Sequence, residues 1–249
     1  RWAKERGWPR IKGHVSGVGS VRAITTACAR LGLQQLTLYA FSTENWKRPA
    51  PEVGYLFTLL RRFLVLEHDT LVKNNVRLTA IGQLDRFPKR VKDYLEKEIR
   101  ATAGHTGLTL CLALSYGSRE EICRAARLLA EDCLAGRLAL DQITEETLSR
   151  RLYQPEMPEP DLLIRTAGEM RLSNFLLWQA AYAEFVSAPV CWPDFDVHDI
   201  DEALLAFSQR KRRFGGLLPE EVDYPSPTSG KNGARPNGRR PHGRDSIHP

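Results

Sequence analysis

The sequence has no CxxC pair, no apolar run approaching the length of a membrane span and no secretory leader at its N-terminal end. Its five cysteines, Cys28, Cys111, Cys123, Cys133 and Cys191, are odd in number, scattered and set within apolar segments. That argues against a structural zinc site or a disulfide framework and for reduced, buried thiols. A soluble, cytoplasmic protein is expected from the same absences. Internal repeats and nucleic-acid recognition motifs are also missing. The net charge of +6 does not by itself restore a nucleic-acid partner, and five of the cations, Lys231, Arg235, Arg239, Arg240 and Arg244, cluster near the C-terminal end.

What is present suits one large α/β domain: 249 residues, 42% of them hydrophobic, are enough for a full core. Short apolar runs at 35–41, 76–81, 108–114 and 162–164 read as strands. Helical patterns at 18–31, 53–71, 89–103, 119–135, 144–153 and 197–213 alternate with them. Alternation of this kind predicts a central, mostly parallel sheet flanked by helices. From about residue 217 the composition turns to Pro, Gly, Asn, Ser and Arg, so 1–216 is expected to be the folded domain and 217–249 a basic, disordered tail. The tail's charge suits solubility, with anionic lipid as its second reading.

Two strand ends carry polar groups, and in open α/β sheets ligands bind at such ends. The first is the turn STENWKRP after the strand at 35–41, with Ser42, Asn45, Trp46 and Arg48. Asn45 can also serve as a local turn residue, and Trp46 as an aromatic packed under its own loop. The second is the stretch opening at Asp161, DLLIRTAGEMRLSNFLLWQAAYAEFVSAPVCWPDFD. Arg165 ends its first strand, Arg171 follows the turn at Gly168, and Ser173 reads as the N-cap of an apolar helical segment from 174 or 175. Two guanidiniums, a hydroxyl and free helix N–H groups would make a phosphate or diphosphate site. The plainer alternative is that Arg165 and Arg171 pair with Asp161, Glu169 or Glu184 as strand-end salt bridges. Glu184, beside Tyr182 in an apolar run, must find a cation, and Mg²⁺ beside a diphosphate is one candidate.

The strings STENWKRP, SYGSREEI, IRTAGEMRLSNFLLWQAAYAEF with WPDFD, and RRFGG closely resemble motifs of the cis-prenyltransferases, undecaprenyl diphosphate synthases in particular. The resemblance runs from Arg1 to about Gly216. It implies the α/β fold of that family, a homodimer, and successive cis condensation of isopentenyl diphosphate onto an allylic diphosphate such as farnesyl diphosphate. The product would be a long-chain Z-polyprenyl diphosphate, a lipid-carrier precursor for cell-wall glycans, made in the cytoplasm or at the inner face of the plasma membrane.

Carried over residue by residue, the resemblance implies that Arg1, Trp2, Arg10 and His14 face the allylic diphosphate. Ser42, Asn45 and Arg48 would lie near the diphosphates, with Ser42, Asn45 and His14 as a hydrogen-bond relay and Trp46 covering the site. Arg165, Arg171 and Ser173 would hold isopentenyl diphosphate, and Arg213 and Gly215 would reach across the dimer to close that site. Mg²⁺ would lie between the diphosphates with Glu184 near it. Its principal ligand in the family is an aspartate in a glycine-rich MDGNG loop, which follows an apolar strand and precedes RWA. The sequence opens on RWAKERGWPRIKGH and contains neither strand nor loop. An N-terminally shortened enzyme with weakened solubility or dimerisation is therefore expected, with an accessory subunit of a prenyltransferase dimer as the alternative. A generic phosphate-binding protein is a weaker third reading. The helix at 53–71 would wall a hydrophobic tunnel, with Leu108 at its floor. Three positions depart from the family pattern: Ser115 stands for Asn, Ser118 for Gly, and Ala167 for Ser or Gly.

Overall fold

The computed structural model describes residues 1–210. In chain order these form α1 (Trp2–Glu5), α2 (Arg10–Arg30), β1 (Gln35–Ser42), α3 (Ala50–Leu66), α4 (His68–Lys73), β2 (Arg77–Ile81), α5 (Lys89–Ala101) and β3 (Thr109–Tyr116). There follow α6 (Ser118–Leu134), α7 (Glu145–Ser149), β4 (Leu162–Arg165), β5 (Glu184–Ser187) and α8 (Val197–Ser208). The expected tail at 217–249 lies outside the described residues, as do Arg213 and Gly215.

All strand pairings are parallel, as the alternation predicts. β3 is the middle of a three-stranded sheet in the order β1-β3-β2, with Thr37, Cys111 and Thr79 abreast. Flanked on both edges and covered on both faces, its residues from Leu110 to Tyr116 are all buried, which is why LCLALSY reads as continuous rather than alternating. α5 shows the opposite pattern: Val91 and Leu95 are buried on one face of an otherwise charged helix. The main core gathers Ile24, Phe41, Phe63, Leu64, Leu78, Leu110, Leu112 and Phe195 from the helices and one face of the sheet, while Ile81, Cys111, Ala113, Tyr116 and Leu176 form a second cluster on the other.

The single sheet expected from sequence is instead two among the described residues, because β4 and β5 pair only with each other. β1 and β4 each have a strand partner on one side only, and residues of both line one cavity of about 1230 Å³. Arg1 lies at the end of this gap, its guanidinium 3.3 Å from the carbonyl of Ala167 just past β4.

Four local differences have identifiable causes. α2 begins at Arg10, directly after Pro9, not at residue 18, which puts His14 one turn inside the helix. Its Gly17 is needed for close packing: an added Cβ would lie 3.0 Å from the Trp192 ring, whose Nε1 donates to the Gly17 carbonyl at 3.0 Å. The helix expected at 53–71 bends at Glu67, a carboxylate 2% exposed that accepts Arg22 Nε at 2.8 Å. The helix expected at 144–153 is only Glu145–Ser149, capped by the Thr144 hydroxyl. No helix forms after Ser173: Ser173, Asn174 and Leu176 have φ of 52°, 62° and 45°, left-handed values that interrupt a right-handed helix.

Ala167 is also left-handed, with φ of 66°, and its N–H donates to Val190 at 2.7 Å, so the conformation is fixed. Glycine has no Cβ penalty there. Ala167→Gly is expected to raise Tm by about 2–4 °C, corresponding to about 1 kcal/mol for a domain of this size, in a thermal melt. An unchanged or lower Tm would show that the turn carries no strain.

Candidate active site

Within each sheet the parallel strands point their C-terminal ends the same way, and polar turns follow β1 and β4 at those ends. Two carboxylates organise the basic residues that these turns and the N-terminal segment supply.

The first is Glu52, in the opening turn of α3 and 13% exposed. It accepts Arg48 Nη1 at 3.0 Å, stands 3.5 Å from His14 Nε2 and lies 3.8 Å from Arg10 Nη1. Burial holds the His14 pKa below its ordinary value, the nearby Arg48 and Arg10 push it the same way, and Glu52 opposes them. His14 is therefore neutral at pH 7, able to accept or relay a proton. With one carboxylate against two guanidiniums, this cluster carries a net +1.

The second is Glu169, 9% exposed, in the turn after β4. It accepts Arg165 Nη2 at 2.9 Å and also pairs with Arg171 and Arg1. The hydrogen bond from Arg165 is the main reason its carboxyl sits at about 2; Arg171 and Arg1 add to it, against a desolvation cost. One carboxylate against three guanidiniums leaves a net +2, a fixed arrangement suited to a diphosphate.

Between the clusters runs apolar wall. Leu56, Phe57, Leu60 and Phe63 of α3 line the cavity, with Leu112 and Leu114 of β3, Val18 and Val21 of α2, and Trp2. The N–H of the Trp2 indole is buried without a hydrogen-bond partner. The cavity also reaches Arg1, Arg10, His14, Arg48, Arg165 and Arg171.

The structure thus joins most of the basic residues expected from sequence, with corrections. Arg1, expected beside Arg10 and His14, belongs to the Glu169 cluster. Ser173 is exposed and caps no helix, so it offers no N-terminal N–H groups to an anion. Trp46 does not border the cavity; it packs under its own loop against Phe41, Phe57 and Phe87, with Arg86 4.6 Å over its ring. Asn45 is a local turn residue here, its Oδ1 accepting the Ser42 N–H at 3.0 Å. Leu108 is 2% exposed in the main core, immediately before β3 and outside the cavity wall. Glu184 opens β5, opposite Leu162 and three residues from the end that carries Arg165; the cation it meets in this chain is Arg210 at 2.6 Å. Among the described residues no group of three His, Cys, Asp or Glu side chains could hold a metal ion. Glu52 and Glu169, the carboxylates at the centre of the two clusters, are paired with guanidiniums, so these residues do not by themselves fit Mg²⁺.

Sequence reasoning passed over Glu52 and saw Glu169 only as one possible salt-bridge partner. The signal for both was i,i+4 spacing, from Arg48 to Glu52 and from Arg165 to Glu169.

The fold and the two clusters define a class: a parallel α/β protein with two basic clusters on the lining of an apolar cavity. Residues 1–215 match the family described as "Putative undecaprenyl diphosphate synthase". The chain belongs to that family of prenyltransferases. It is 48% identical over 217 residues to an isoprenyl transferase of Clostridium perfringens, covering 87% of this chain and 86% of the relative. With an isoprenyl transferase of Agrobacterium fabrum it shares 49% over 220 residues, or 88% and 89% of the two chains. Among solved structures it resembles lavandulyl diphosphate synthase from Lavandula x intermedia in complex with dimethylallyl diphosphate, with TM-score 0.84, 37% identity, and coverage of 86% and 92%. A probable undecaprenyl diphosphate synthase from Campylobacter jejuni gives TM-score 0.71 at 37% identity, covering 81% and 92%.

Proposed function

We propose that this prenyltransferase condenses isopentenyl diphosphate onto an allylic diphosphate such as farnesyl diphosphate, lengthening a Z-polyprenyl chain. The observation that carries the reading is the pair of carboxylate-centred basic clusters opening on one apolar cavity. The Glu169 cluster, with Arg165 and Arg171, is assigned to isopentenyl diphosphate. The Glu52 cluster, with Arg10, His14 and Arg48, is assigned to the allylic diphosphate.

In the reaction the allylic C1–O bond breaks and its electron pair leaves with the diphosphate. The terminal alkene carbon of isopentenyl diphosphate bonds to C1, and a proton departs from its C2. Arg10 and Arg48 offset the charge that develops on the leaving diphosphate, in a partly enclosed setting where such offsets count for more than in water. His14, neutral at pH 7, can take up a proton there. Each added isoprene unit moves into the apolar cavity, gaining on the order of 25 cal/mol per Å² of apolar surface buried. Mg²⁺ bound to such substrates would take its oxygens chiefly from the diphosphates, as this ion commonly does, and would neutralise leaving-group charge.

A homodimer closed by Arg213 and Gly215, with cytoplasmic or peripheral membrane placement for a lipid product, completes the proposal. No helix among the described residues is long and apolar enough to cross a membrane.

The test is incorporation of labelled isopentenyl diphosphate into butanol-extractable product, with farnesyl diphosphate and Mg²⁺. It is run on this chain and on one extended before Arg1 by an apolar strand and MDGNG loop. Polyprenyl product from either is expected. Product from neither, with both folded, would replace the reading with that of an accessory subunit.

A further inference from the structure

The turn from β3 into α6 is flanked by two of the departures from the family pattern, Ser115 near the end of β3 and Ser118 at the start of α6, and neither touches the cavity. Both are fully buried, each 0% exposed. Ser115 has φ of 48°, a left-handed conformation in which serine is strained, yet its hydroxyl accepts the Trp46 indole N–H at 2.9 Å. Trp46 lies two residues before Arg48, so this bond ties the turn to the loop that delivers Arg48 to Glu52. The Ser118 hydroxyl accepts the Leu177 N–H at 2.9 Å, and the Ser118 N–H donates to the Asn174 carbonyl at 2.9 Å. Those bonds tie the same turn to the segment that follows Arg171.

The two loops also meet each other over this turn. Asn174 Nδ2 donates to Glu44 Oε1 at 3.3 Å and to Glu120 Oε2 at 3.1 Å, while the Thr43 hydroxyl donates to Glu120 Oε1 at 3.2 Å. Gly117 sits inside the junction, where an added Cβ would lie 2.7 Å from both Thr43 Oγ1 and Asn174 Nδ2. The junction thus has space for a bare backbone and two hydroxyls, and each hydroxyl satisfies a donor from a different loop.

We propose that Ser115 and Ser118 are positioning residues that hold the Arg48 loop and the Arg171 loop in register through one buried turn. The turn touches no substrate. Ser115 acts on the Glu52 cluster through Trp46, and Ser118 acts on the Glu169 cluster through Leu177 and Asn174. In its kinetic arm only, the proposal rests on the prenyl-transfer reading.

The variants are chosen to separate positioning from folding. Ser115→Gly removes the hydroxyl but also the strain at φ 48°, so the lost hydrogen bond and the relieved strain should largely cancel in its Tm. Ser115→Asn keeps an acceptor on a residue that tolerates this conformation. Ser118→Ala removes the second hydroxyl and retains a good helix former at the start of α6. In ¹⁵N-labelled protein, with the Trp46 indole signal assigned from Trp46→Phe, Ser115→Gly should speed solvent exchange of that N–H by about tenfold, the cost of one orphaned donor. Ser115→Asn should restore protection, and Ser118→Ala should leave it intact while exposing the Leu177 amide. In turnover, Ser115→Gly should raise KM for farnesyl diphosphate about tenfold and Ser118→Ala that for isopentenyl diphosphate, with kcat within about twofold.

Indole exchange unchanged in Ser115→Gly would overturn the placement of Ser115. Faster exchange with both KM values unchanged would overturn the positioning role. If the unaltered protein turns over no substrate, the prenyl-transfer reading fails separately; the exchange experiment and calorimetric Kd values for the two diphosphates then decide the proposal.

Discussion

Arg165→Ala is expected to lower kcat/KM for isopentenyl diphosphate by about 100-fold or more, while the Kd for farnesyl diphosphate stays within about twofold. Arg165 is the last residue of β4, so a rigid strand sets the position of its guanidinium. Its side chain is 28% exposed, against 61% for Arg171 and 55% for Arg1. It is the best-shielded cation of the three and the one most strongly coupled to Glu169. Truncation removes a charge-assisted contact to the substrate and breaks the geometry of the remaining pair. Arg165→Lys should recover only part of the loss, because an ammonium cannot reproduce the planar fork. Steady-state kinetics with each substrate varied in turn checks both statements. An equal loss toward both diphosphates would mean that the clusters are not separate subsites.

Glu169→Gln should give the second large effect, and it reads on stability as well as binding. Without the carboxylate, three guanidiniums face one another with no common counter-ion, and Tm near pH 7 should fall by about 5 °C. Inorganic pyrophosphate should restore more Tm in Glu169→Gln than in the unaltered chain, because the anion takes the carboxylate's place. The pH dependence has a definite sign. A carboxyl held at about 2 in the fold, below its ordinary 4.5, contributes stability that is fully present above about pH 4.5 and is lost as pH falls toward 2. Glu169→Gln should lack that portion of the acid-induced loss. Thermal melts from pH 7 down to 2 test this; parallel Tm curves for the two proteins would contradict the account of Glu169.

How far these features could be read from sequence depended on how local each was. Arg165 at a strand end and Arg48 in a polar turn were legible because the short apolar runs and the turn residues around them are contiguous in the chain. The hubs were not. Nothing local joins Arg1 to Glu169, which are 168 residues apart and meet only because tertiary folding brings Arg1 to the turn after β4. Ser173 misled for a specific reason: a serine before an apolar run is the usual sign of an N-cap, but the left-handed angles at 173, 174 and 176 direct Asn174 onto the start of α6 instead. Leu108 and the leucines of α3 have the same side chain, and only tertiary packing puts one in the core and the others on the cavity wall. Trp46 was ambiguous between lid and anchor until its indole N–H was seen to point at Ser115. The split of the sheet was invisible because β4 and β5 satisfy the same pattern whether they join β1 or only each other.

The central claim is that one chain carries two diphosphate subsites, organised separately by Glu52 and Glu169. Its most direct test is calorimetric titration with isopentenyl diphosphate and with an unreactive farnesyl thiodiphosphate, alone and together, on the unaltered chain, Arg48→Ala and Arg165→Ala. The account predicts that one of each ligand binds per chain at the same time, with Arg48→Ala weakening only the thiodiphosphate and Arg165→Ala only isopentenyl diphosphate. Mutual exclusion of the two ligands, or loss of both in either variant, would contradict it.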